Sequence, residues 1–201
     1  ASYTFNENTK VYVGRKKYEW SAIDSYWLLS IWQPNFAIDL LRPEEQGLFG
    51  AFLDYKVDNF ELVGLAAPIF IPSIGPDIRV EGGNLVSDSR WYRRPSEKYN
   101  FNNRINSITY RLDIPEVQDL VGKPGAALSA RWGHQKDGLW FGSGVGYKPM
   151  NELVLKRQNY KEIDKDNVNV KVIPEGTYHS VFSADIGYTL PKFKSTLSYI
   201  E

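Results

Sequence analysis

The sequence predicts an all-β fold, an antiparallel transmembrane β-barrel showing about ten strands, part of a larger barrel, with long external loops. Three observations predict it. Side-chain character alternates with period two along several segments, one face of those segments repeats the same composition, and the connections alternate between short and long. No stretch approaches about 18 apolar residues, so a membrane-spanning helix is excluded. A mean hydropathy of −0.40 is compatible with barrel strands, which are apolar on one face only.

The repeating face is the most specific signal. Phe49, Ala51, Leu53 and Tyr55 share one side, as do Phe141, Ser143, Val145 and Tyr147. The series recurs at Phe182, Ala184, Ile186 and Tyr188, and at Phe193, Ser195, Leu197 and Tyr199. Tyr12, Gly14, Lys16 and Tyr18 form a weaker copy. Aromatic pairs six apart arise by chance roughly four times here, but about once or less when both intervening positions must be small or aliphatic. The alternate positions, such as Gly142, Gly144 and Gly146, are small or polar. A lipid-facing strand has this form, with aromatic residues at both membrane interfaces. Tyr12, Tyr18, Phe49, Tyr55, Phe141, Tyr147, Phe182, Tyr188, Phe193 and Tyr199 are therefore the expected girdle. A soluble sandwich or lipocalin-like barrel remains the alternative, because alternation does not say which face is wet.

In chain order the strands are expected at 1–5, 9–20, 47–57, 60–70, 105–112, 126–135, 139–148, 152–160, 177–190 and 193–200. Residues 1–201 then form one barrel domain or a segment of one, with long loops at 21–46, 71–104 and 161–176. Short turns intervene at 6–8, 57–59 and 191–192, and Asp137-Gly138 marks a hairpin. Residues 23–41 are too apolar for a bare loop and are expected to pack, either into the lumen or on the rim. The short start at 1–5 and the ending Ser198-Tyr199-Ile200-Glu201, without a terminal aromatic, suggest part of a longer barrel.

The run GRKKYEW at 14–20, then QPNF and LRPEEQG, then LFGAFLDYKV and FELVGLAAPIF, resembles proteobacterial outer-membrane porin-like proteins. YKPMNEL at 147–153 is similar to segments of that broad group. The resemblance covers most of 9–70 and, more loosely, 105–153. It implies a bacterial outer-membrane location and passage of solutes.

The sequence offers little chemistry. There is no cysteine, which excludes thiolate sites and disulfides. The only histidines, His134 and His179, lie near no nucleophile elbow and form no zinc set. Glu44-Glu45 is expected to be a salt-bridged loop pair. Asp164-Lys165-Asp166-Asn167 lacks the glycine and final glutamate of a calcium loop. No catalytic residue, metal or cofactor is expected. Balanced charge, 24 basic against 24 acidic residues, gives no support to a nucleic-acid partner.

By strand parity, Arg15, Lys17, Glu19, Asp54, Lys56, Arg111 and Arg131 are expected to line a lumen, where charge sorts solutes. The leading function is a porin-like channel for passive diffusion of small polar solutes. Its partners are outer-membrane lipid and those solutes, with a homo-oligomer or another envelope protein left open. The alternatives are a structural or partner-binding barrel without conductance, and a soluble β-protein binding carbohydrate or lipid.

Overall fold

The computed structural model describes residues 1–39, 41–101, 103–161 and 167–201. Its elements, in order, are β1 (Ser2–Asn6), β2 (Thr9–Lys16), α1 (Ala22–Trp27), β3 (Asn35–Phe36), β4 (Glu44–Glu45), β5 (Leu48–Val57), β6 (Phe60–Ala67), β7 (Arg79–Glu81), β8 (Asn84–Val86), β9 (Lys98–Phe101), β10 (Arg104–Leu112), α2 (Val117–Val121), β11 (Gly125–His134), β12 (Asp137–Pro149), β13 (Val154–Lys161), β14 (Asn167–Glu175), β15 (Tyr178–Leu190) and β16 (Phe193–Ile200). The chain is all-β in class, with mostly antiparallel pairing.

Eight strands form one antiparallel sheet in the order β1-β2-β5-β6-β11-β12-β15-β16. Tight turns join its sequence neighbours. Asp58 takes a left-handed φ of 47° between β5 and β6, a conformation Asp tolerates. Between β11 and β12 the turn falls at Gln135-Lys136, immediately before the Asp-Gly pair, and Gly133 takes φ 86° at a register shift. A Cβ at Gly133 would lie 2.3 Å from the Leu139 carbonyl oxygen, so the site admits only glycine. The sheet is open: β1 and β16 are its edges, and it closes into no barrel among the described residues.

A second sheet of four strands runs in the order β13-β14-β10-β9. It corrects several expectations. The segments expected at 105–112 and 152–160 as barrel strands belong here, as β10 and β13. The expected loop 161–176 contains β14, which pairs parallel to β10 from Ser107↔Asn167 to Leu112↔Val172. The expected loop 71–104 contains β7, β8 and β9, and the moderate connection after Leu112 holds α2. The expected strand over 9–20 stops at Lys16. The acidic stretch at 164–166 lies outside the described residues.

Pairing register assigns the faces of the large sheet. Arg15, Val13 and Val11 stand opposite Phe49, Ala51 and Leu53, whereas Tyr12 stands opposite Phe52. Tyr12 and Tyr18 pack with the buried cluster of Phe52, Val63, Leu65, Trp20 and Trp32. Both are thus removed from the expected girdle. The valines at 11 and 13, not the tyrosines, share the face of Phe49, because a one-residue change of parity exchanges every side chain between faces.

Candidate functional site

Burial in the large sheet runs opposite to the usual pattern. On β12, Leu139, Phe141, Ser143, Val145 and Tyr147 are exposed, while Gly144, Gly146 and Lys148 are buried. On β15, Phe182, Ile186 and Tyr188 are exposed, while Ser183, Asp185 and Gly187 are buried. The exposed side is the outer face. Among the described residues its charged groups lie at the strand ends, Arg15 at the end of β2 and Asp137 at the start of β12. The eight remaining girdle residues, Phe49, Tyr55, Phe141, Tyr147, Phe182, Tyr188, Phe193 and Tyr199, all lie on this face and are 37–62% exposed.

The other, inner face is covered by the chain's own residues 18–36. Small residues make room for it. A Cβ at Gly144 would sit 3.0 Å from Trp32 and 2.9 Å from the Ser183 hydroxyl, and one at Gly146 would sit 2.9 Å from Trp32. Trp32 is fully buried there and stacks on Trp20 with centroids 5.1 Å apart. Gly187 lies against Trp140, where a Cβ would come within 2.4 Å of the indole.

Polar contacts then fasten the segment. The Asp185 carboxylate accepts from Ala22 N–H at 3.1 Å, and the Ser183 hydroxyl donates to the Trp20 carbonyl at 3.2 Å. Asp24, 3% exposed, accepts from the N–H groups of Ile31 and Trp32 at 3.0 and 2.9 Å. Burial pushes its carboxyl above the ordinary aspartate value, and those two N–H donors and the charge of Lys148 pull the other way. Lys148 Nζ donates to Asn151 Oδ1 at 2.7 Å, and Asn151 Nδ2 donates to the carbonyls of Ser30 and Ile31 at 2.6 and 2.9 Å. Residues 30–32 are thereby clamped from both sides.

Beyond this inserted segment the inner face is ionic. Lys16 pairs with Asp54 and lies over the rings of Tyr18 and Phe52. In register, Glu61 stands between Lys56 and Arg131 on the neighbouring strands. Arg131 donates to the Glu19 carbonyl at 3.0 Å and lies over Tyr18, while the Glu19 carboxylate accepts from Gln135 at 2.6 Å.

Of the expected lumen residues, Asp54, Lys56 and Arg131 therefore lie on the inner face, and Glu19 joins them through Arg131. Arg15 does not. By register it shares the outer side with Phe49, and its guanidinium reaches along the sheet end to Gln46 Oε1 and the Gly47 carbonyl. Lys17 is exposed just beyond β2. Arg111 lies in the four-stranded sheet, away from this face, because β10 never joins the large sheet.

Glu61 escaped the sequence reading, and Lys16, expected on the weaker copy of the lipid-facing repeat, lies on the inner face instead; both share the parity of Asp54 once the hairpins are registered. Asp24, Lys148 and Asn151 left no signal at all, since 121 positions separate Asn151 from Ser30. Glu44-Glu45 forms the short strand β4, and burial raises the Glu45 carboxyl above its ordinary value. Among the described residues no group of histidine, aspartate and glutamate has a metal-binding arrangement. No family model matches the chain, and neither does any curated protein or solved structure.

Proposed function

We propose that this chain is an outer-membrane β-barrel protein that passes small polar solutes. A single observation carries the membrane part: the inverted large sheet, whose outer face exposes phenylalanine, tyrosine, leucine and valine over eight strands, with charge only at its margins, at Arg15 and Asp137. A contiguous apolar surface of that extent is not tolerated in water. It matches the lipid face of a barrel, where hydrocarbon meets alternate residues and the opposite residues face the interior.

The channel part is supported by the inner face. Lys16, Asp54, Lys56, Glu61 and Arg131 present both signs of charge along one side of the sheet. Paired cations and anions across a lumen favour small polar or zwitterionic solutes over apolar ones. Residues 18–36 narrow that lumen rather than lie on a rim. An eight-stranded barrel has an interior that side chains alone fill. A barrel that also houses Trp20, Trp32 and α1 is wider than that.

Two measurements test this. The full chain should migrate at different positions on a denaturing gel before and after heating, as barrels do. Reconstituted in planar bilayers, it should give discrete conductance steps. Insertion without conductance would leave a partner-binding barrel in place of the channel. No insertion into vesicles would remove the membrane reading itself.

A further inference from the structure

The four-stranded sheet holds a cleft of its own. Parallel pairing sets Ile108 and Tyr110 of β10 beside Val168 and Val170 of β14, all on one face. Leu85 from β8 and Pro95 close over this floor, leaving a cavity of about 880 Å3. That volume is within the usual range for small-molecule sites. A second cavity of about 410 Å3 shares Leu85, Pro95, Leu155 and Val172 with the first, so the apolar trench continues.

Two polar groups in the cleft lack partners. Asn106 is fully buried in the wall, where its Nδ2 donates to the Arg104 carbonyl but its Oδ1 accepts nothing. A buried acceptor left unpaired is costly unless a ligand supplies a donor. Arg157, on the same wall and in register with Val172, makes no ion pair among the described residues. The nearby carboxylates are engaged elsewhere, Glu175 by Lys156 and Asp113 by Lys171. Among the described residues no aspartate or glutamate lines the cleft, so no described carboxylate there would neutralise a cationic ligand.

The geometry points to a binding site for a medium-chain carboxylic acid bearing a hydroxyl group. The alkyl chain lies along the valine and isoleucine floor. The carboxylate pairs with Arg157, as guanidinium forks favour. The hydroxyl donates to Asn106 Oδ1. The aliphatic floor and the lack of carboxylates among the described lining residues favour this class over a sugar. The site stands apart from the large sheet and does not depend on the membrane reading.

Native mass spectrometry of the detergent-released full chain tests it, with 3-hydroxydodecanoate, dodecanoate and dodecyltrimethylammonium as probes. The hydroxy acid should bind at one per chain, roughly five- to tenfold tighter than dodecanoate. The cationic probe should not bind. Arg157→Gln, at an exposed position, should weaken both acids by about tenfold or more. Asn106→Leu should abolish the preference for the hydroxy acid. Equal binding of the cationic probe, unchanged binding in Arg157→Gln, or a preference that survives Asn106→Leu would each overturn the assignment, the first by revealing adsorption to the outer apolar face.

Discussion

The two larger sheets of this protein solve the same problem in opposite ways. The four-stranded sheet turns Tyr110, Val170 and Val172 inward under Leu85, and its ion pairs Lys171–Asp113 and Lys156–Glu175 lie near solvent. That is the arrangement of a sheet in water. The eight-stranded sheet buries glycine, serine, aspartate and lysine beneath a folded-in segment and exposes its aromatics. Both sets of strands alternate with period two, so alternation alone does not tell the two apart. What differs is which face the rest of the chain covers.

Charge placed on each sheet should separate them. Ile186→Arg puts a cation on the outer face, where it should cost about 2–4 kcal/mol near a bilayer midplane. In lipid vesicles this would be read from urea unfolding. The equivalent change in the other sheet, at exposed Ser107, should stay within about 0.5 kcal/mol. Tolerance of arginine at Ile186 would break the comparison by showing that the outer face meets water.

Crowding the inner face should come next. Gly144→Val forces a branched side chain against Trp32 and Ser183, an overpacking that should cost about 1–3 kcal/mol. The expected outcome is partial release of residues 18–36, seen as faster proteolysis near α1 and larger conductance steps. Proteolysis unchanged from the native chain would mean the segment does not rest where Gly144 admits it.

Asn151→Ala removes both amide bonds to Ser30 and Ile31 and the acceptor for Lys148. It should cost about 1–3 kcal/mol through the polar groups left unpaired, and should loosen the same segment without touching the outer face. Hydrogen exchange at residues 30–32 measures it.

The smallest effect concerns the water-facing sheet. The hydrogen bond and charge of Lys171 hold the Asp113 carboxyl below its ordinary value. A depressed value means that the stability it lends is present above the ordinary value of about 3.9 and is lost as pH falls through the lowered one. In Lys171→Ala the Asp113 carboxyl carbon should titrate at higher pH by NMR. An unchanged titration would show that the pair does not hold in solution.

The β15–β16 hairpin was legible because Phe182 to Tyr188 and Phe193 to Tyr199 repeat one composition around a short Pro191-Lys192 turn. β14 is less plain: Val168, Val170 and Val172 alternate, yet the segment lies within the expected loop 161–176. The face of β2 was not legible. Tyr12 and Val13 are both apolar, and only pairing with β5 says which of them stands beside Phe52. The clamp at Lys148, Asn151 and Asp24 was beyond reach, since single hydrogen-bonding residues far apart carry no periodic signal.

By itself, the sequence determined the all-β class, the main hairpins and the aromatic composition of one strand face, because these depend on neighbours a few residues apart. Tertiary structure alone decided that the long strands divide between an eight-stranded and a four-stranded sheet, that β10 and β14 pair in parallel, and that residues 18–36 cover the glycine face. The reason is physical. Alternation makes every strand two-sided, but the choice of partner strand and of covered face is settled by contacts between residues distant in the chain.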